Sequence, residues 1–207
     1  DTVKRLADAA AAAGASAIKY QYWSSASRLA QRRRAPELEA AYARFQVPRD
    51  WLPRLRQVAD DRGIGFVCTT YLPEDVFVVA ERCEVMKIAS FEANDRELLY
   101  MHRAPLSVGR RVIVSLGLGA SRSVVREVLA SERNEPGRLQ LLHCVSAYPA
   151  RLNELRLSAI WPDFQYLCGI DGFSDHSDPL SESSLIVGAL AVAAGATVIE
   201  RHIRLDD

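Results

Sequence analysis

Apolar residues along this chain fall in short, unbroken runs rich in Val, Ile and Leu, set about one helix apart. The runs Ala17–Gln21, Gly65–Thr70, Val85–Ser90, Arg111–Gly117, Leu139–Val145, Tyr166–Gly172 and Thr197–Ile203 read as strands. Their continuity, in place of strict alternation, predicts strands buried on both faces, the mark of a parallel sheet covered by helices. Helices are predicted over Thr2–Ala13, with Gly14 as C-cap, over Pro48–Asp61, and near 74–83, 94–103, 121–132, 151–160 and 181–194. One long polar excursion, Tyr22–Val47, interrupts the beat and carries the basic run Arg32-Arg33-Arg34. It reads as a lid or partner surface, with a solvated charged loop as the plainer alternative.

Seven strands in βα alternation predict an α/β fold, and a (β/α)8 TIM barrel over a doubly wound sheet, because no dinucleotide-binding turn is present. The nearest candidate, Gly117-Leu118-Gly119 with Arg122 in the third glycine's place, fails the match. The chain opens inside a helix and stops after a strand, so the barrel reads as incomplete, with its first strand and last helix not in the chain. Residues 1–207 form a single barrel domain on this reading. Bare edges on the second and eighth strands would invite pairing with other chains, which predicts that the polypeptide continues before Asp1 and beyond Asp207.

Composition narrows the function classes. The 26 basic and 26 acidic residues balance, which removes the electrostatic case for nucleic acid or an anionic membrane. No stretch approaches the roughly 18 apolar residues of a membrane span. Cys68, Cys83, Cys144 and Cys168 lie in or beside apolar runs without C-x-x-C pairing, which predicts reduced, mostly buried thiols in a cytoplasmic protein.

Polar side chains gather at the C-terminal ends of the strands, where barrel enzymes keep their sites. In chain order these are Lys19 and Gln21; Thr69 and Thr70; Lys87, Ser90 and Glu92; Ser115; His143, Ser146 and Tyr148; Ser174, Asp175 and His176; Glu200 and His202. Two of the chain's three lysines, Lys19 and Lys87, lie inside apolar strands, where an unpaired charge is costly. Ammonium groups with neighbouring hydroxyls suit a phosphate or a carboxylate; a structural pairing with Glu92 or Glu200 is the plainer reading. His176 and His202 close equivalent strands one β-helix-β unit apart, a placement that suits a divalent metal.

Lys87-Ile88-Ala89-Ser90, Leu141-Leu142-His143-Cys144 with Tyr148-Pro149, Ser174-Asp175-His176 and Ile199-Glu200-Arg201-His202 together resemble the sialic acid synthase family. Ala17-Ile18-Lys19-Tyr20-Gln21 is similar to that family's second-strand motif, and the motifs follow in the family's order from about residue 2 to 206. The resemblance implies a (β/α)8 barrel that condenses phosphoenolpyruvate with an N-acyl-mannosamine-type amino sugar. It implies His176 and His202 as ligands of a divalent ion, Mn2+ first, with Mg2+ or Co2+ as alternatives. It places Thr69, Lys87, Ser90, Ser115, Ser146 and Ser174 on the substrates, and Glu200, Tyr148, Lys19 and Gln21 at the reacting centre. A homodimer of the full-length form is implied as well.

The chain departs from the family pattern in particular places. Ser115-Leu116-Gly117-Leu118 stands where Ser-Thr-Gly-Met is usual, and Ser146 where an asparagine is common. The family's first-strand motif, with its glutamate, would lie before residue 1, and the family's C-terminal antifreeze-like domain is absent from these 207 residues. Two other readings stand beside the first: another phosphoenolpyruvate-condensing or lysine-dependent aldolase on the same barrel, and a non-catalytic binding barrel.

Overall fold

The computed structural model describes residues 2–129, 137–160, 169–182 and 184–205. Helix α1 (Thr2–Ala12) ends at Gly14, whose φ of 76° lies in the left-handed region that favours glycine. Strands β1 (Ala17–Tyr22), β2 (Gly65–Thr70), β3 (Val85–Ile88), β4 (Arg111–Leu116), β5 (Leu139–Cys144), β6 (Gly172–Asp175) and β7 (Val198–Arg201) follow. They pair in parallel, in sequence order, as one seven-stranded sheet. The fold is a curled, parallel, seven-strand α/β structure, in keeping with a (β/α)8 barrel short of one strand.

Register sorts the side chains into two faces. Ile18 pairs with Phe66, Cys68 with Met86, Met86 with Val112, Val114 with Leu141, and His143 with Phe173. Ile18, Phe66, Cys68, Met86, Val112, Val114, Leu141 and Phe173 belong to the main buried cluster, with Leu52, Leu55, Val76, Leu98, Leu99 and Val125 from the helices. Burying each large apolar side chain contributes roughly 1.5–3 kcal/mol. The opposite parity carries Lys19, Gln21, Thr69, Lys87, Ser115, Cys144, Ser174 and Glu200. Helix packing therefore takes one face of every strand and leaves the chemistry to the other.

The structure corrects several expectations. The Tyr22–Val47 excursion is no solvated loop but holds helices α2 (Ala26–Arg32) and α3 (Glu39–Phe45), joined by a 3-10 turn at Pro36–Leu38. Ser25 caps α2 by accepting from Arg28 N, and Gln46 ties the base by donating to Ser24 O and accepting from Ala26 N. The 48–61 helix divides into a 3-10 turn at Arg49–Trp51 and α4 (Leu52–Asp60). The 74–83 segment is α5 (Val76–Ala80) after a 3-10 turn, and 94–103 becomes α6 (Arg96–Met101) followed by α7 (Arg103–Ser107).

Helix α8 spans Arg122–Leu129, and the end of its expected 121–132 range lies outside the described residues. The 151–160 helix is replaced by two 3-10 turns, Leu152–Glu154 and Leu157–Ile160, because Arg156 takes a φ of 49° between them. Helix α9 (Ser184–Ala193) precedes β7. The expected strand at Tyr166–Gly172 lies partly outside the described residues, and the described strand begins only at Gly172. Gly169, with φ of 53°, is itself out of extended geometry ahead of that strand. Cys68, Cys83 and Cys144 are buried free thiols, as expected; Cys168 falls outside the described residues.

Candidate active site

The inward parity converges at the C-terminal ends of the strands. Lys87, on β3, is 2 % exposed, and its Nζ donates to Ser115 Oγ on β4 at 2.8 Å and to Ile88 O at 3.0 Å. Glu200, on β7, lies between two ammonium groups: Oε1 is 3.8 Å from Lys87 Nζ and Oε2 is 3.8 Å from Lys19 Nζ. Ser174 Oγ, on β6, donates to Glu200 Oε1 at 2.7 Å, and Lys19 Nζ reaches Thr69 Oγ1 at 3.5 Å. Six strands thus deliver two cations, one carboxylate and three hydroxyls to one place. Gln21, in register with Thr69, is exposed at the end of β1.

Electrostatics follows from this packing. Burial pushes the Glu200 carboxyl up, but Lys87, Lys19 and the Ser174 hydrogen bond outweigh it and bring it down to about 2. Burial lowers the Lys87 ammonium, and Glu200 works in the opposite direction. The site therefore carries a carboxylate opposed to two lysines, with cationic character left for an incoming anion.

His176 and His202 meet beside this cluster, with ring centres 5.4 Å apart. Two imidazoles bound to one ion at about 2.0–2.1 Å per bond have ring centres roughly 4.5–5.5 Å apart. His176 Nδ1 lies 2.7 Å from Val145 O. A carbonyl only accepts, so Nδ1 carries the proton and Nε2 keeps its lone pair, the form in which imidazole binds a metal. That Nε2 faces Tyr148 OH at 2.9 Å and Ser174 Oγ at 3.4 Å. Burial holds His176 below its ordinary pKa. Desolvation, then Lys19 and His176, do the same for His202. Both are therefore mainly uncharged at neutral pH, the form in which imidazole can ligate a divalent transition-metal ion. Among the described residues no group of three or more His, Cys, Asp or Glu side chains could hold a metal ion.

The neighbouring turns complete the rim. Ser90 Oγ and Ser146 Oγ are 3.1 Å apart, and Ser146 lies 3.9 Å from Cys144 Sγ. Space there is tight: a side chain at Gly117 would meet Ser146, Cys144 and Ser90. Tyr148, 61 % exposed, stands against both histidines, with ring centres 4.1 Å from His176 and 5.6 Å from His202.

Three expected rim residues are elsewhere, among them Asp175, which shares the outward parity of Phe173 and pairs with Arg201 at 3.1 Å. His143 has the outward parity; its Nε2 lies 2.8 Å from Leu155 O and its ring 5.9 Å from that of Phe173. Thr70 is likewise on the helix face, 2.9 Å from His102 Nε2. Alternation along β5 and β2 forces both outcomes, since Cys144 and Thr69 take the inward positions. Glu92 was among the expected rim residues, whereas its partner Arg33 arrives from a distant helix and was not legible from spacing.

The sequence matches the model of the NeuB family over residues 6–207, and the chain belongs to that family. It is 30% identical over 173 residues to a protein named pseudaminic acid synthase from Campylobacter jejuni, covering 82% of this chain and 48% of that protein. It is 30% identical over 224 residues to the spore coat polysaccharide biosynthesis protein SpsE of Bacillus subtilis, covering all of this chain and 56% of that protein. The chain thus spans about half the length of these relatives. Among solved structures it superposes on an N-acetylneuraminic acid synthetase from Leptospira borgpetersenii with a TM-score of 0.80 and 29% identity, covering 99% of this chain and 68% of that one.

Proposed function

We propose that this chain is the barrel portion of a nonulosonic acid synthase. On this reading it condenses phosphoenolpyruvate with an N-acyl-mannosamine-type amino sugar, with release of phosphate. The observation that carries the reading is the convergence of Lys19 and Lys87 with Thr69, Ser115 and Ser174 beside two neutral imidazoles. Ammonium and hydroxyl donors suit a small dianion bearing phosphate and carboxylate, and membership of a family with nonulosonic acid synthases supports the acceptor class.

Lys87 and Ser115 would hold one anionic end of phosphoenolpyruvate, and Lys19 with Thr69 the other. Fixing both substrates within reach removes much of the entropic barrier. Carbon 3 of phosphoenolpyruvate attacks the aldehyde carbon of the open-chain sugar, and positive charge develops at carbon 2. Glu200 lies in the same cluster and opposes that charge. Water adds at carbon 2, and the tetrahedral adduct expels phosphate to leave a ketone. His176 and His202 would hold a divalent ion of the Mn2+ class, which when bound supplies Lewis-acid polarisation of the aldehyde oxygen. Tyr148, on the open side of the histidines, would meet the sugar.

Phosphate release from phosphoenolpyruvate with a panel of N-acylated aminohexoses tests the reading. Acceptor-dependent release that stops on chelation supports it, whereas a borohydride-trapped lysine adduct would indicate a Schiff-base aldolase instead. A cytoplasmic location and a homodimer of the full-length protein belong to the same proposal. No helix among the described residues is long and apolar enough to cross a membrane.

A further inference from the structure

The helical excursion brings a cation, which the reaction above does not use, onto Glu92 just beyond the rim residue Ser90. Arg33 Nε and Nη2 donate to Glu92 Oε1 at 2.8 and 2.6 Å, and Nη1 donates to Tyr42 OH at 3.3 Å. Its guanidinium carbon lies 4.9, 5.2 and 5.6 Å from the ring centres of Tyr71, Phe91 and Tyr42. Arg32 anchors the same helix end by pairing with Asp95 and Glu97. Stacked against three rings and forked onto one oxygen, the Arg33 head group is held in place. The C-terminal end of α2 is thereby fastened to the segment that follows β3.

Glu92 stands two residues beyond Ser90 and is 6 % exposed. Arg33 bonds Oε1, while Oε2 is buried without a hydrogen-bond partner. Buried carboxylate oxygens are rarely left without a donor, so such an oxygen beside a substrate site calls for a ligand. The Lys87 ammonium acts on the Glu92 carboxylate, and the charge of Arg33 is felt by Tyr148. Both effects accord with the position of Glu92 just beyond Ser90, whose Oγ lies 3.1 Å from Ser146 Oγ at the rim.

We propose that Arg33 is a positioning residue: by taking Oε1 it fixes the Glu92 carboxylate so that Oε2 accepts a hydrogen bond from a hydroxyl or amide N–H of the acceptor sugar. The identity of that acceptor rests on the function proposed above. The fork geometry explains why an arginine serves here, since a lysine offers a point charge without the planar double contact.

The test uses Arg33→Gln and Arg33→Lys in protein carrying 13C-carboxyl glutamate, with the Glu92 resonance assigned by its loss in Glu92→Gln. Burial raises the Glu92 carboxyl pKa and Arg33 lowers it, so Arg33→Gln moves the titration midpoint to higher pH. Arg33→Lys recovers part of the difference. N-acetylmannosamine shifts the Glu92 resonance in the unaltered protein and not in Arg33→Gln. In turnover, KM for the acceptor rises roughly tenfold or more while KM for phosphoenolpyruvate holds.

A merely structural Arg33 would lower the melting temperature and raise both KM values together, which would overturn the proposal. So would an unmoved midpoint, or a Glu92 resonance indifferent to the sugar. Absence of phosphate release with every acceptor would count against the proposed reaction alone, because the two resonance measurements still decide the role of Arg33.

Discussion

The ammonium of Lys19 on β1 lies 3.8 Å from a carboxylate oxygen of Glu200 on β7, although these are the first and last strands of the ladder. Strands spaced at about 4.8 Å would set the edges of a flat seven-stranded sheet roughly 29 Å apart. The contact therefore requires the sheet to curl until its two edges face one another across the interior. Glu200 is the hub of that curl, since it also meets Lys87 from β3 at 3.8 Å.

Glu200→Gln should reduce stability by about 3 kcal/mol, near the lower bound for leaving a buried charge without its partner. Glutamine keeps the volume and the Ser174 contact but leaves the Lys87 ammonium, 2 % exposed, without its counter-charge. Urea unfolding at neutral pH measures the difference. A loss below about 0.5 kcal/mol, the range of ordinary surface substitutions, would mean that Lys87 is already uncharged.

Lys19→Met and Lys87→Met should each weaken phosphoenolpyruvate binding about 10- to 100-fold, the scale of one charge-assisted hydrogen bond, about 1.5–3 kcal/mol. Calorimetric titration with phosphoenolpyruvate reads this directly. Unchanged affinity in both variants would move the anion site elsewhere.

His176→Ala and His202→Ala should each abolish binding of Mn2+ while leaving the melting temperature near that of the unaltered protein. Electron paramagnetic resonance of free and bound Mn2+ separates the two effects. Retained binding in either variant would reject a shared ion, despite the 5.4 Å ring spacing.

His102 predicts a pH dependence of stability that is remote from the site. Its ring is fully buried between Thr70 and Leu98 O, and burial lowers its pKa from 6.5 to about 4. Between those values the unfolded chain binds a proton that the folded chain refuses. The contribution is complete above pH 6.5 and declines as pH falls to about 4, by about 3 kcal/mol in all. Unfolding midpoints at pH 7 and 4.5 should differ more in the unaltered protein than in His102→Gln. Equal differences would show that His102 is not buried neutral.

The strand order and most strand bounds were legible because apolar runs such as Gly65–Thr70 carry their own boundaries. The partners of Lys87 and Glu200 were legible only as residue types at strand ends; the inward register that joins them through Ser115 and Ser174 depends on strand pairing. His143 misled for the same reason, since a one-residue step along β5 reverses its face. The bonds of Arg32 and Arg33 in the excursion were not legible, because their acidic partners lie some sixty positions away in the chain. Local pattern carries no information about such pairs.

Phosphoenolpyruvate labelled with 18O in the bridge between carbon 2 and phosphorus tests the central claim most directly. The account predicts that, with an N-acylated mannosamine-type acceptor and Mn2+, the label leaves with phosphate, because water adds at carbon 2 and the carbon–oxygen bond breaks. Label retained in the new ketone, or phosphate released at the same rate without acceptor, would contradict it.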